Sequence, residues 1–170
     1  MGVDGQARAL SDVTAQMGLD PVTTLLELVQ LTGTGDIDLT ALHDTAAQLN
    51  GFETETADWA PPLPNPSKIL GVAFNNKELM KKAHRDPGVP NFFLKPASCL
   101  QGHGKPIIVD PDWGAVIPEP ELCAIIGKRA KHITEDQALD HVFGYVIHND
   151  VTSHGLKFGK DSIAVTYDSD

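Results

Sequence analysis

Cysteine is scarce in this chain, with only Cys99 and Cys123 among 170 residues. Two cysteines are too few for a disulfide framework, and neither lies in a Cys-x-x-Cys spacing. Long apolar runs are missing as well. No stretch approaches the roughly 18 consecutive apolar residues that span a membrane, and the N-terminus carries no apolar signal region. These absences place the expected protein in the cytoplasm, without a membrane partner. Basic charge is also short: 13 Lys and Arg stand against 23 Asp and Glu, a formal net charge of −10. No basic stripe is available to displace counterions, so nucleic acid is not an expected partner. The one local exception, Lys77, Lys81, Lys82, His84 and Arg85, reads as a solvated helix face. Internal repeats and low-complexity segments are lacking too. What is present is ordinary for a globular protein, in a length that suits one domain or one with a small appendage.

Residues 1 to about 60 read as a small, polar, helical region. "DPVTTLLELVQL" offers Asp20 as N-cap, Pro21 at the first helical position and apolar residues at helical spacing, with Gly33 and Gly35 at its end. "DLTALHDTAAQLNG" reads as a second short helix. "WAPPLPNPSK" holds four prolines between residues 61 and 66, which block helix and weaken strand pairing, so it is the expected domain boundary. Beyond it, residues 61–170 read as mostly strand: "KILGVAF", "NFFLKPAS", "KPIIVDP", "ELCAIIGKRA" and "FGYVIHNDVT", with "KELMKKAH" as a short basic helix. "TEDQALDHV" reads as a helix with Thr134 as N-cap and Gln137 in the capping-box position. The expected class is α+β, mostly β, with a sheet that curls.

The chemistry concentrates at Glu119, Glu121 and Asp150. In a strand, residues two apart point to one side, so the two glutamates would leave a single face with only Pro120 between them. The strand then runs into the apolar Leu122, Cys123, Ala124, Ile125 and Ile126. Carboxylates so placed repel one another unless a cation sits between them. A second strand ending at Asn149-Asp150 can bring a third, and three carboxylates with waters suit a hard divalent ion such as Mg²⁺ or Mn²⁺. The bland alternative is a solvated Glu-x-Glu strand face.

Read in order, "LPNPSKILGVAFN", "FFLKPAS", "GKPIIVDP" and "PEPELCAIIGKRAKHITEDQALDHVFGYVIHNDVTS" resemble the fumarylacetoacetate hydrolase family, from about Pro64 to Thr152. The resemblance implies a β-roll fold and a divalent metal, Mg²⁺ or Mn²⁺ with Ca²⁺ as a further option, on Glu119, Glu121 and Asp150. It implies a 2-oxo acid or β-diketo acid substrate, cleaved at a C–C bond by hydrolysis or decarboxylation, or isomerised through a metal-stabilised enolate. Lys95, in "FLKP", is the candidate second cation, because a lysine in so apolar a strand is costly unless it faces carboxylates; a surface-seeking lysine is the alternative.

The departures from the family matter as much. Small members carry Asn-Tyr-x-x-His-x-x-Glu, whose His and Glu activate water. Those two positions hold Leu79 and Lys82 here. Leucine cannot take a proton and an ordinary lysine is already protonated at neutral pH. His84, Glu78 and His154 are the candidate replacement bases. After Asp150 the family's Thr-x-Arg-Asp-x-Gln becomes Thr152-Ser153-His154-Gly155-Leu156-Lys157. The family also runs on for roughly another hundred residues, and a half-roll would leave sheet edges unpaired, so a homo-oligomer, a dimer in the simplest case, is expected. The alternative function is a non-catalytic metal-binding subunit that pairs with an active homologous chain.

Overall fold

The structure is a computed structural model that describes residues 2–3, 5–55, 57–83 and 88–154. In chain order the strands are β1 (Gly2–Val3), β2 (Gln6–Ala7), β3 (Ile69–Ala73), β4 (Asn91–Lys95), β5 (Ala115–Ile117), β6 (Pro120–Ile126), β7 (Val142–Asn149) and β8 (Thr152–His154). The α-helices are α1 (Leu10–Gln16), α2 (Leu25–Thr34), α3 (Leu39–Ala47) and α4 (Lys77–Ala83). The class is α+β with more strands than helices, behind a small helical N-terminal region. Among the described residues the strands form four two-stranded antiparallel ladders, β1–β2, β3–β4, β5–β8 and β6–β7. Two compact units result, one from Met1–Asp58 and Pro120–Asp150, the other from Trp59–Glu119 and Val151–Asp170.

In the first unit, α2 starts at Thr24 rather than at Asp20. The Thr24 hydroxyl accepts the Glu27 amide at 3.2 Å, and the Glu27 carboxylate accepts the Thr24 amide at 3.0 Å, a reciprocal capping box. The reason lies just upstream. Val22 is buried, and its amide donates to the Thr14 hydroxyl of α1 at 3.0 Å, which holds this stretch extended against α1. The helix stops at Gly35, whose φ of 86° is left-handed and suits glycine. Gly33 lies inside α2 instead, where a Cβ would collide with the Gly127 carbonyl; the missing side chain lets the helix touch the end of β6.

The core of this unit is helical: Val13, Val22, Leu28, Ile37, Leu42 and Ala46 pack together, and Phe143 of β7 packs against them. The Arg8 guanidinium, also buried, donates to the Leu49 and Gln6 carbonyls, both at 3.1 Å, and Ala7 and Phe52 exchange backbone hydrogen bonds. Between β6 and β7, Gln137 does accept from Thr134 as a capping box requires, yet Glu135–His141 winds as a 3₁₀ helix rather than an α-helix.

In the second unit, β3 pairs with β4 from Ile69↔Lys95 to Ala73↔Asn91. Gly71 leaves room for the Phe93 ring, which a Cβ there would strike. The strand expected in "KPIIVDP" is not formed. Pro106 and Pro111 offer no amide donors, and Asp110 instead caps a 3₁₀ turn, Pro111–Trp113, by accepting the Asp112 amide at 2.8 Å. The long strand expected through Thr152 is divided. β7 ends at Asn149, and Thr152–His154 pairs with β5, where the Ser153 hydroxyl donates to the Trp113 carbonyl.

Candidate metal centre

The β6–β7 ladder sets the first part of the site. Its register runs Pro120↔Asn149, Glu121↔His148, Leu122↔Ile147, Cys123↔Val146. Alternation puts Glu121, Cys123 and Ile125 on one face, where Cys123 and Ile125 are half-buried, and the exposed Leu122 and Ile126 on the other. Burial pushes the Cys123 thiol up, and the Glu121 carboxylate raises it further, as expected of neighbours on one face. Along β7 the burial alternates as well: Val146 and His148 are shielded, Tyr145 and Ile147 exposed, and the rhythm carries into Asp150, which is only 3% exposed. A carboxylate so enclosed must meet a donor or a cation.

Glu119, in the second unit, lies one residue before β6 and is half-buried. Of the two glutamates expected on one strand, only Glu121 lies within β6. Pro118 and Pro120 have no amide to pair, and the ladder opens only at Pro120. The Glu119 carboxylate accepts the Thr152 hydroxyl at 3.1 Å, an anchor supplied by β8.

Of the other expected residues, Lys95 ends β4 and is buried at 8% exposure, which removes the surface-seeking alternative. Glu78 stands on α4 and pairs with the Lys81 ammonium at 2.8 Å, with both side chains largely in solvent. Leu79 and Lys82 are on the same helix. His84 lies outside the described residues. The His154 backbone pairs with Ala115, while its side chain lies outside the described set. His148 lies near the expected residues as well. It stands two positions before Asp150 and directly across from Glu121 in the β6–β7 register.

Among the described residues, no group of three or more His, Cys, Asp or Glu side chains stands close enough together to hold a metal ion. Taken by donor type alone, Glu119, Glu121 and Asp150 carry hard oxygens, the ligand type of Mg²⁺, Mn²⁺ and Ca²⁺. No helix among the described residues is long and apolar enough to cross a membrane.

The family model for the fumarylacetoacetate (FAA) hydrolase C-terminal region matches residues 68–168, more than half of the chain. The chain belongs to the fumarylacetoacetate hydrolase family. The matched region contains every expected site residue, and the helical N-terminus precedes it. An uncharacterised protein of Pyrococcus horikoshii is 39% identical over 93 residues, covering 54% of this chain and 40% of its own. The mitochondrial oxaloacetate tautomerase of Xenopus laevis is 34% identical over 101 residues, covering 59% of this chain and 32% of the relative. In both cases the chain spans well under half of the relative's length. The crystal structure of a Mycobacterium smegmatis protein assigned as HpcE superposes with a TM-score of 0.66 at 19% identity, over 96% of this chain and 59% of that one. At that identity it bears on the family fold alone.

Proposed function

We propose that this chain supplies the metal-binding part of an enzyme that acts on a 2-oxo or β-diketo acid. The observation that carries the reading is the family match over residues 68–168 with the carboxylates Glu119, Glu121 and Asp150 all retained inside it. These three would hold Mg²⁺ or Mn²⁺, and Ca²⁺ satisfies the same donors. When bound, the cation supplies a Lewis acid that orients a 2-oxo acid and stabilises negative charge developing on it.

The protein's own groups do the rest. Thr152 fixes the Glu119 carboxylate through its hydroxyl. Lys95 offers a shielded positive charge for an anionic substrate. A base must still move a proton, and His84 and His154 are better suited to it than Glu78, which Lys81 engages on the solvent face of α4. Among the family reactions, isomerisation has two supports. The Xenopus relative is named an oxaloacetate tautomerase. Shifting a proton between carbon and oxygen also needs no activated water, and Leu79 and Lys82 stand where the water-activating pair would be. Hydrolysis or decarboxylation of a C–C bond remains the other branch. We assign the protein a homodimeric assembly.

Leu79 and Lys82 also support a second reading, a metal-binding subunit without activity of its own that pairs with an active homologous chain. Titration of the purified chain with Mn²⁺, followed by assays on oxaloacetate and acetylpyruvate for the wild type and Glu121→Ala, separates the two. Enol–keto interconversion of oxaloacetate that disappears in Glu121→Ala supports the enzyme, and pyruvate release from acetylpyruvate moves it to the hydrolytic branch. Metal binding without turnover favours the silent subunit. A wild type that binds no metal defeats both.

A further inference from the structure

Asn50 follows the end of α3, is exposed, and is the only asparagine of the chain with glycine after it. The others precede Asn76, Lys77, Phe92 and Asp150, all with side chains, or, at Asn65, a proline with no amide proton to lose. We propose that Asn50–Gly51 is a self-modification site, where the Gly51 amide nitrogen closes on the Asn50 side chain and the Asn50 amide is exchanged for a carboxylate. Part of the product carries its backbone through the side chain of residue 50, and this form loosens the attachment of β2 to the end of α3.

Three observations converge on the site. First, the packing requires the glycine. A Cβ at Gly51 would stand 2.6 Å from the Gln6 Cβ and 3.0 Å from the Arg8 Cζ. Without a side chain of its own, Gly51 offers little steric resistance to its nitrogen approaching the Asn50 Cγ. Second, both reacting groups are available. Among the described residues, no hydrogen bond engages the Asn50 side chain or the Gly51 amide. Third, the buried Arg8 guanidinium lies beside the Gly51 backbone. Its charge favours loss of the Gly51 amide proton, and the deprotonated nitrogen is the form that attacks.

The exchange needs only water. The Gly51 nitrogen bonds to the Asn50 Cγ, the Cγ–Nδ2 bond breaks and ammonia leaves, which closes a cyclic imide. Water then opens the ring at either carbonyl carbon. Opening at Cγ gives aspartate in an ordinary chain. Opening at the main-chain carbonyl carbon leaves Gly51 joined to Cγ, an isoaspartyl link that lengthens the backbone by a carbon. That carbon falls between two fixed points. On one side the Arg8 Nε donates to the Leu49 carbonyl at 3.1 Å, and on the other Ala7 and Phe52 exchange two backbone hydrogen bonds of 2.9 Å. The longer link strains both anchors.

Incubating the full chain at mildly alkaline pH, with peptide mapping by mass spectrometry, tests this beside Asn50→Gln and a synthetic peptide of residues 47–54. The expected result is amide loss at Asn50 about tenfold or more faster than at any other asparagine of the folded chain, and no slower than in the peptide. Asn50→Gln, whose longer side chain closes the ring poorly, should stay intact at this position. The isoaspartyl fraction, separated by ion exchange, should unfold at a lower temperature than Asn50→Asp, which carries the new charge without the extra carbon. Amide loss slower in the folded chain than in the peptide overturns the proposal, because the anchors then hold Asn50 away from the Gly51 nitrogen. An isoaspartyl fraction as stable as Asn50→Asp overturns the loosening.

Discussion

Leu42 and Leu94 are the same side chain in opposite surroundings. Leu42, on α3, is fully buried beside Val13 and Ala46, whereas Leu94, on β4, is 69% exposed across from Leu70 and near Phe92, both also exposed. The helical cluster closes on itself, because three short helices and one strand residue can surround a common centre. A two-stranded ladder has two faces and nothing of its own to cover the second. The outer face of β6–β7 repeats the lesson with Leu122, Tyr145 and Ile147. Apolar alternation marks a face, and whether that face is covered is decided by elements distant in sequence.

The sharpest test of this contrast is a pair of truncations read by urea denaturation. Leu42→Ala should cost about 2–5 kcal/mol, the range for emptying a packed core site. Leu94→Ala should stay within about 0.5 kcal/mol, as for exposed positions. Equal losses would break the comparison. Next in size is the start of α2, where Thr24→Ala should cost about 1 kcal/mol by removing one half of the capping box. The other half gives a pH signature. The Thr23 and Thr24 amides hold the Glu27 carboxyl below its ordinary range. A depressed folded-state value means that the contribution is present above the unfolded-state value and is lost as pH falls through the folded one. The stability difference between wild type and Glu27→Gln should therefore be present at neutral pH and fade on acidification. The smallest effect belongs to the solvent side of α4. Lys81→Ala should change stability by no more than about 0.5 kcal/mol, and added salt should erase even that.

Much of this molecule is legible in its sequence. The strands at Ile69–Ala73, Asn91–Lys95 and Pro120–Ile126, the basic helix α4 and the Thr134–Gln137 box all follow from local pattern. What local pattern missed was decided at a distance. Thr24 displaced Asp20 as the cap because Val22 is tied to Thr14. "KPIIVDP" has strand-like residues but no neighbour, and Asp110 turned it instead. Thr152 left the β7 run to pair with β5. The three candidate carboxylates were singled out by residue type and spacing, but their unequal surroundings were not: Asp150 enclosed, Glu121 exposed, Glu119 held by Thr152. That His148 stands across from Glu121 is set by the strand register, which the sequence does not print.

The packing of Phe143 against α-helical residues near the N-terminus also has a meaning in time. A ribosome adding about 5–20 residues per second takes roughly 5–20 s to travel from the end of α3 to Phe143. Through that interval Val13, Leu28 and Leu42 can gather among themselves, while the side destined for Phe143 stays open to whatever else is in the cell. The N-terminal helices are made first but finished late, and a chaperone that engages this nascent chain has its natural window between those two moments.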